Sequence, residues 1–175
     1  MKTPIELGGT KQDRNNRNKI QAIAFSLLEY LPGKGYYCFM DNLFISERFL
    51  EFLRKQGYSA TGIYRTNSRV ITELIDLKKS NKGDKLLWGT LKALLTKSGK
   101  VIQVGWKDNT LVLGIFIILD TKDSVNRNRK KPSVIFMLAK TTRVFFGRDK
   151  YIKSISIPLF FDLYNYNINT IDQGD

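Results

Sequence analysis

The sequence contains no histidine and a single cysteine, and these two scarcities exclude much familiar site chemistry. Without histidine there is no imidazole general base, no Ser-His-Asp triad and no histidine-containing zinc site. One cysteine, Cys38, excludes an internal disulfide, and its place within an apolar run favours a buried thiol. Any metal chemistry must therefore use carboxylates, which favour hard ions such as magnesium or manganese.

Long apolar runs are also missing. The longest, residues 111–119 with Gly114 inside it, is far shorter than the ~20 residues that a membrane helix needs. The first residues, 1–4, lack the apolar stretch of a secretory signal. Hydrophobic residues make up 42% of the 175 and charged residues 26%, which is typical of a globular protein, and no segment that spans a membrane is expected. The length suits one domain, or one domain plus an insertion.

Acidic residues are few beside basic ones, 16 against 29, and the formal net charge is +13. This excess predicts a polyanionic partner, with nucleic acid first and an anionic membrane surface second. The membrane is the poorer choice because no basic amphipathic helix stands out. The cations are spread along the chain, with a denser block at residues 127–132, which favours contact with a phosphate backbone. A basic surface that serves solubility alone remains the alternative.

One stretch combines a strand, an acid and a helix. Residues 36–40 are apolar and rich in strand formers, Asp41 follows at once, and Ser46 can cap a helix that starts there. In open α/β sheets, ligands and metals gather at the carboxyl ends of strands, so Asp41 is a candidate ligand. The same pattern also fits an ordinary acid in a solvated turn, and this reading stays open.

The remaining pattern alternates between helix and strand before it becomes strand-rich, which predicts an α/β fold. Residues 122–133 are expected to form a polar, basic loop, and Asp108-Asn109 a hairpin turn. The expected helices span residues 15–31, 46–56, 71–79 and 159–167, and the expected strands span 36–40, 58–64, 86–96, 101–107, 110–119, 134–138 and 144–146.

Several short motifs follow one another in a fixed order between residue 33 and the last residue. They are YCFMDNLFIS at 37–46, ATGIYRTNS at 60–68, WGT at 88–90, WKDN at 106–109, RNRKKP at 127–132, Ile157-Pro158 and YNYN at 164–167. Each motif alone is weak, but the ordered set resembles the transposase domain of the piggyBac family, its fungal members most closely.

The resemblance implies a partial RNase H-like (DDE transposase) core that a β-rich insertion interrupts. Residues 15–65 and 157–175 would form the core, residues 66–156 the insertion, and residues 1–14 a loose lead-in. The family moves DNA by cut-and-paste transposition. Its carboxylates hold two Mg²⁺ or Mn²⁺ ions, about 3.5–4 Å apart, that activate water or a 3′-hydroxyl against a phosphodiester.

The resemblance also implies the site residues. Asp41 matches the family's second catalytic and metal-binding aspartate, Asp172 the third and Asp175 the fourth. The family's pattern around the third acid contains two glycines that this sequence replaces, at Asn169 and Thr170. Without the family match, Asp172 and Asp175 are equally well interpreted as solvated acids near a chain end.

No position in residues 1–14 matches the family's first catalytic aspartate, which lies on the first strand of the core. The chain is therefore expected to be a fragment, truncated at both ends, that does not cut DNA alone. Its single cysteine also excludes the family's cysteine-rich zinc-binding tail. The strand at residues 36–40 is expected to form an exposed sheet edge, and the isolated chain to be poorly soluble.

DNA is the expected partner, nuclear localisation follows from it, a homodimer is left open, and no small-molecule substrate is expected. The candidates for contact with nucleic acid are Arg65, Arg69, Lys107, Arg127, Arg129, Lys130 and Lys131. The alternative is a non-catalytic nucleic-acid-binding protein derived from a transposase.

Overall fold

A computed structural model describes residues 18–79, 86–117, 121–133, 140–148 and 151–172, which form a mixed α/β fold as predicted. In chain order, the elements of these residues are α1 Lys19–Glu29, β1 Tyr37–Met40, α2 Glu47–Lys55, β2 Ser59–Ile63, α3 Thr72–Lys79, β3 Leu91–Leu95, β4 Ile102–Lys107, β5 Leu111–Phe116, β6 Ser124–Lys130, α4 Lys140–Phe146, β7 Ile152–Pro158 and α5 Leu159–Asp172. None of the helices in this part of the chain is long and apolar enough to cross a membrane.

A five-stranded sheet in the order β1-β2-β5-β4-β3 forms the centre. β1 and β2 are parallel, since α2 carries the chain back between them, and the other neighbours are antiparallel. Gly62 lets β1 approach closely, because a Cβ at this position would lie 2.3 Å from the Met40 carbonyl oxygen. β5 pairs directly with β2, so the sheet continues without a break across residue 65, where the insertion is expected to begin.

Helices cover both faces of this sheet. On one face, Phe49, Leu50 and Leu53 of α2 pack with Leu113 and Ile115 of β5 in the larger core cluster. This arrangement follows from the helical spacing of the apolar residues in α2, which the sequence predicts.

On the other face, Phe160 and Phe161 of α5 pack on Trp106 of β4 and Phe116 of β5. Gly114 of β5 makes room for this contact, since a Cβ there would lie 2.1 Å from the Phe160 ring. The first turn of α5 is therefore seated on the middle of the sheet.

β1 is the end strand in this order, which is the position that the sequence analysis expects. Cys38 lies in β1 and is partly buried, and burial raises the pKa of its thiol. α1 leaves Ile23 and Leu27 about three-fifths exposed, at 59% and 62%. The tendency of the isolated chain to associate stays a prediction.

The predicted loop at residues 122–133 is wrong in its central part, because Ser124–Lys130 forms β6. β6 pairs in antiparallel register with β7, and Val125 lies opposite Ile157. The sequence of β6 is almost entirely polar, whereas β7 supplies the buried Ile155. A strand whose apolar contacts come from its partner leaves no alternation of its own for the sequence to reveal.

Other expected elements differ in smaller ways. Residues 144–146, expected as a strand, belong to α4, and residues 134–138 lie outside the described residues. The strand expected at residues 86–96 starts only at Leu91, because Gly89 adopts a turn with φ 82°. The predicted hairpin between β4 and β5 forms, but its loop is residues 108–110 and not the two residues expected, since Lys107 pairs with Leu111. The Asp108 amide donates to the Thr110 carbonyl at 3.1 Å.

Candidate functional site

Asp41 lies where the sequence predicts it, directly after the carboxyl end of β1. Its side chain is exposed, and its Oδ1 accepts a hydrogen bond from the Asn42 amide at 2.6 Å. The Phe44 amide donates to the Asp41 carbonyl at 3.1 Å and closes the turn. Ser46 then caps α2, with its Oγ accepting from the Phe49 amide at 3.3 Å. The turn therefore holds one carboxylate at the edge of the sheet, shortly before the N-terminus of α2 in the sequence.

Asn42 carries an unsatisfied acceptor beside this carboxylate. Its side-chain Oδ1 is buried and has no hydrogen-bond partner among the described residues. Buried polar atoms nearly always have a partner, so an acceptor of this kind is suited to a donor that enters from outside, such as a hydroxyl group or a water molecule. Asp41 thus provides exposed carboxylate oxygens, and the next residue, Asn42, provides a buried acceptor.

A cleft of about 330 Å³ adjoins this turn. Its walls come from the start of α1, the turn after β1, the first turn of α2 and the loop after β2. Its lining residues are Asn18, Gln21, Asn42, Leu43, Ile45, Ser46, Glu47, Arg48, Asn67, Ser68 and Arg69. Polar side chains dominate the walls, and two of them, Arg48 and Arg69, are exposed cations.

The side chain of Gln103 in β4 forms hydrogen bonds to one wall of the cleft, the loop after β2. This side chain is fully buried, and its Oε1 accepts from the Tyr64 hydroxyl and the Ile71 amide, both at 2.8 Å. Its Nε2 donates to the Arg69 carbonyl at 3.3 Å and to Glu47 Oε2 at 3.4 Å. Four hydrogen bonds to one buried amide make the loop after β2 a rigid part of the sheet.

Arg69 has the left-handed backbone conformation, with φ 61°. Non-glycine residues pay roughly 1–2 kcal/mol for this conformation, so the surrounding contacts must hold it in place. The hydrogen bond from Gln103 to its carbonyl does so. Strained residues that carry a functional group concentrate at binding sites, which is consistent with a role for Arg69 at the mouth of the cleft.

Glu47 is the acid between the two arginines of the cleft. Burial raises the pKa of its carboxyl, and repulsion from Glu51 adds to the increase, while a hydrogen bond with Thr96 and the charges of Arg69 and Arg48 act in the opposite direction. The Glu47 carboxyl is therefore easier to protonate than an ordinary glutamic acid. A further negative charge that enters the cleft would raise this pKa again.

The other two predicted acids lie at or beyond the end of the described chain. Asp172 is the last residue of α5, and Asp175 is outside the described residues. Since Phe160 and Phe161 seat the start of α5 over β4 and β5, the contacts of this helix with β1 fall to its later residues. The backbone of α5 therefore runs from β4 and β5 toward β1, the strand that Asp41 follows.

Within the described ranges, no three acidic or cysteine residues come together as a group that could hold a metal ion. Asp41 fits the oxygen chemistry that Mg²⁺ and Mn²⁺ require. One carboxylate alone does not fix an ion, so Asp41 could hold one only together with further ligands.

The predicted basic residues fall into three groups. Arg65 and Arg69 are exposed on the loop after β2, and Arg69 lines the cleft. Lys107 is only 1% exposed, and its Nζ donates to the Asn109 carbonyl at 3.3 Å. A side chain this deeply buried does not reach a DNA phosphate, so its burial argues against the predicted role of Lys107.

The third group is the basic block, where two of the four predicted cations are paired with acids of the protein. Arg127 makes two hydrogen bonds to Asp162, at 2.9 and 2.8 Å, and Arg129 makes two to Asp108, at 2.5 and 2.8 Å. Lys131 donates to the Gly147 carbonyl, and Lys130 is exposed. Sequence reasoning missed the acids that pair with these cations, because both partners are distant along the chain.

Sequence reasoning also missed Arg48 and Gln103. Arg48 is one polar residue of an amphipathic helix, and Gln103 is the polar member of an otherwise apolar strand. A polar residue inside an apolar strand was the signal that marked Gln103, since buried amides must find partners.

Comparison with solved structures gives a match to a cryo-EM structure of a piggyBac transposase synaptic complex with hairpin DNA. The TM-score is 0.49 and the sequence identity 15%, and the match covers 68% of this chain and 23% of that chain. This chain thus corresponds to less than a quarter of the length of that protein. No curated protein matches the sequence. A family model described as Transposase IS4 matches residues 1–175, and the chain belongs to this transposase family.

Proposed function

We propose that the chain is a piggyBac-like part of a DDE transposase, that it binds DNA at the cleft beside Asp41, and that it does not cut DNA by itself. One observation carries this proposal: a carboxylate, an unsatisfied amide oxygen and two exposed guanidinium groups share one edge of the sheet. The family membership and the net charge of +13 support a polyanionic substrate.

Each part of the cleft suits a different part of a DNA strand. Arg48 and Arg69 are suited to phosphate oxygens, which guanidinium groups bind through two parallel hydrogen bonds. The acceptor of Asn42 is suited to the terminal 3′-hydroxyl of a DNA strand or to water, because a phosphodiester offers no donor. DNA bound in this way would lie beside the turn that carries Asp41.

The proposed metal ligand is Asp41, with Asp172 and Asp175 as further ligands on the strength of the family resemblance. Divalent ions held there would activate water or a 3′-hydroxyl against a phosphodiester. The contribution of Asp41 itself is a carboxylate oriented by the Asn42 amide. We derive no catalytic step for the described residues, since they contain one acid of the proposed set.

The proposal extends to the architecture and to the cell. Residues 15–65 and 157–175 would form a partial RNase H-like core, and residues 66–156 an insertion whose strands extend the core sheet. Since the substrate would be chromosomal DNA, the protein would act in the nucleus.

Binding is tested by fluorescence anisotropy with a short labelled DNA duplex over a range of salt concentrations. We expect binding that weakens steeply with salt, because each phosphate contact releases counterions. Binding that is absent at low salt contradicts the proposal. Replacing Arg65 and Arg69 by asparagine should weaken binding to every duplex sequence alike.

Cleavage is tested with supercoiled plasmid in the presence of Mg²⁺ or Mn²⁺. We expect no nicking by the chain alone. Metal-dependent turnover that Asp41→Asn abolishes would overturn the proposed inactivity and would show that the chain contains a working site.

The alternative function is a non-catalytic nucleic-acid-binding protein derived from a transposase, and the incomplete acid set within the described residues favours it. Metal dependence separates the two. If Asp41 is still a metal ligand, Mn²⁺ should increase DNA affinity and Asp41→Asn should remove the increase. In the alternative, DNA affinity is the same with and without Mn²⁺.

A further inference from the structure

The β6–β7 ribbon, residues 124–130 paired with residues 152–158, has two faces of different character. In an antiparallel pair, directly opposed residues project to the same side. Asn126 lies opposite Ser156, and Asn128 lies opposite Ser154. All four side chains are exposed, so amide and hydroxyl groups form two cross-strand rows on this outer face. Lys130 and Ile152, which are also opposed and exposed, continue it at one end.

The inner face of the ribbon is occupied by contacts with the rest of the protein. Ile155 is buried, with 3% exposure. Arg127 pairs with Asp162 of α5, and Arg129 pairs with Asp108 in the turn between β4 and β5. Through these ion pairs, both arginines link the ribbon to the rest of the protein. The outer face, which is left to solvent, offers hydrogen-bond donors and acceptors and little charge.

We infer that the outer face of this ribbon enters the major groove of duplex DNA and reads base edges through Asn126 and Asn128. The inference rests on the proposed function, since it requires that the chain binds DNA. The major groove, about 12 Å wide, admits a two-stranded β-ribbon. Asparagine is the side chain that pairs with the N6 and N7 edge of adenine, and serine donates to or accepts from any base.

The spacing of the two asparagines supports this assignment. Residues two apart in an antiparallel strand are separated by about 6.8 Å, and base pairs two apart in B-DNA are separated by about the same distance. Asn126 and Asn128 are therefore spaced to contact bases two steps apart when the strand follows the groove.

The outer face does not suit a protein partner equally well. Protein interfaces are centred on buried aromatic or aliphatic anchors, whereas the middle of this face carries only Asn126, Asn128, Ser154 and Ser156. A polar face on a chain with a net charge of +13 fits DNA, where phosphate contacts elsewhere supply affinity and base contacts supply specificity.

The experiment is a selection from a randomised pool of DNA duplexes by the full chain, followed by sequencing. We expect the wild-type chain to enrich a short motif that contains adenine. The double variant Asn126→Ala/Asn128→Ala should lose the preference at two positions separated by one base pair. In direct binding, the ratio of affinities for the enriched and a scrambled duplex should fall about tenfold for each asparagine removed.

Two features separate base recognition from a phosphate contact or a folding defect. The double variant should keep its affinity for the scrambled duplex and the slope of affinity against salt, because no cation is removed. Its melting temperature should match that of the wild type. The matched control is Asn165→Ala, an exposed asparagine on α5, which should enrich the wild-type motif.

A chemical substitution in the DNA tests the groove. Replacing adenine by 7-deazaadenine in the enriched motif removes an acceptor from the major groove only, and it should weaken wild-type binding but leave the double variant unaffected.

Four results would overturn the inference. In the first, the double variant enriches the same motif as the wild type, and in the second it loses affinity equally for both duplexes. Wild-type chain that binds duplex DNA without enriching any motif also contradicts base recognition by the ribbon but leaves the proposed DNA binding intact. Failure to bind any duplex contradicts both.

Discussion

The cleft beside Asp41 and the β6–β7 ribbon both contain arginines, yet these arginines have different surroundings. Arg48 and Arg69 are exposed at the cleft, where the neighbouring acid, Glu47, has a raised pKa. Arg127 and Arg129 of the ribbon each make two hydrogen bonds to an aspartate. A basic residue in a basic sequence is therefore not by itself evidence of DNA contact, since the acid that faces it decides its role.

Helix α5 contacts both β1, which precedes the turn beside the cleft, and the β6–β7 ribbon, so a change in its anchor should have the largest effect. Phe160 is 3% exposed and packs against Phe116, with ring centres 4.9 Å apart. Phe160→Ala leaves a cavity over Gly114, and we expect it to lower the free energy of unfolding by about 3–5 kcal/mol. Denaturation by urea measures this change. The control Asn165→Ala, on the exposed side of the same helix, should change it by less than about 0.5 kcal/mol. A similar small change for Phe160→Ala contradicts the seating of α5 on the sheet.

The second largest effect should be on DNA affinity, which should distinguish the arginines of the cleft from those of the ribbon. The double variant Arg48→Gln/Arg69→Asn removes two cations from the cleft, and asparagine tolerates the left-handed backbone at position 69. We expect DNA binding to weaken about tenfold or more and the slope of log affinity against log salt to decrease by about 1.8.

The matched variant, Arg127→Gln/Arg129→Gln, removes the same charge from the ribbon. Because aspartates already neutralise these two cations, the salt slope should change by less than about one. Equal slopes for the two double variants would remove the distinction between the regions.

Stability should then distinguish the two ion pairs of the ribbon. The side chains of Arg129 and Asp108 are 31% and 16% exposed, and the Trp88 indole also donates to Asp108 at 3.1 Å. We expect Arg129→Met to lower the free energy of unfolding by about 1–2 kcal/mol, between the values for exposed and for buried pairs.

The Arg127 side chain is 55% exposed, so Arg127→Met should cost less than about 1 kcal/mol. A double-mutant cycle with Asp108→Asn measures the coupling of Arg129 to its partner. A coupling energy near zero would show that the Arg129–Asp108 pair does not hold the ribbon in place.

The two regions also differ in how much of their secondary structure could be predicted from the sequence. The strand, the turn at Asp41 and the cap at Ser46 are confirmed because local signals specify each of them: an apolar run, a helix cap and an amphipathic helix. In the ribbon, residues 122–133, which include β6, were predicted to be a loop. Its first strand, β6, is specified by pairing with β7 and by Asp108 and Asp162, which lie 21 and 35 residues away in the sequence from their arginine partners.

The candidate site was predictable in the same partial way. Asp41 was found because it directly follows a strand. Arg48 and Gln103 were not found, because the cleft joins segments from four parts of the chain. The register of β4 brings Gln103 under the loop after β2, and register is a property of the sheet that no single segment contains.

The smallest expected effect concerns Glu47, and it decides whether DNA enters the cleft. Burial raises the pKa of this carboxyl above the ordinary value of 4.5, so the folded chain holds its proton more tightly than the unfolded chain does. Stability from this group is therefore greatest below the ordinary pKa and decreases as pH rises from about 4.5 to the raised value.

A phosphate between Arg48 and Arg69 would raise the pKa of Glu47 further, so that DNA binding would take up a proton. DNA affinity of the wild-type chain should then fall as pH rises from the pKa of Glu47 in the free chain to its higher pKa in the complex, and only about twofold, since solvent screens the interaction. Glu47→Gln should abolish this pH dependence and leave the preference of the ribbon for its motif unchanged. If the affinities of the wild type and of Glu47→Gln vary with pH in the same way, DNA does not approach Glu47, and the ribbon would be the better candidate for the main contact.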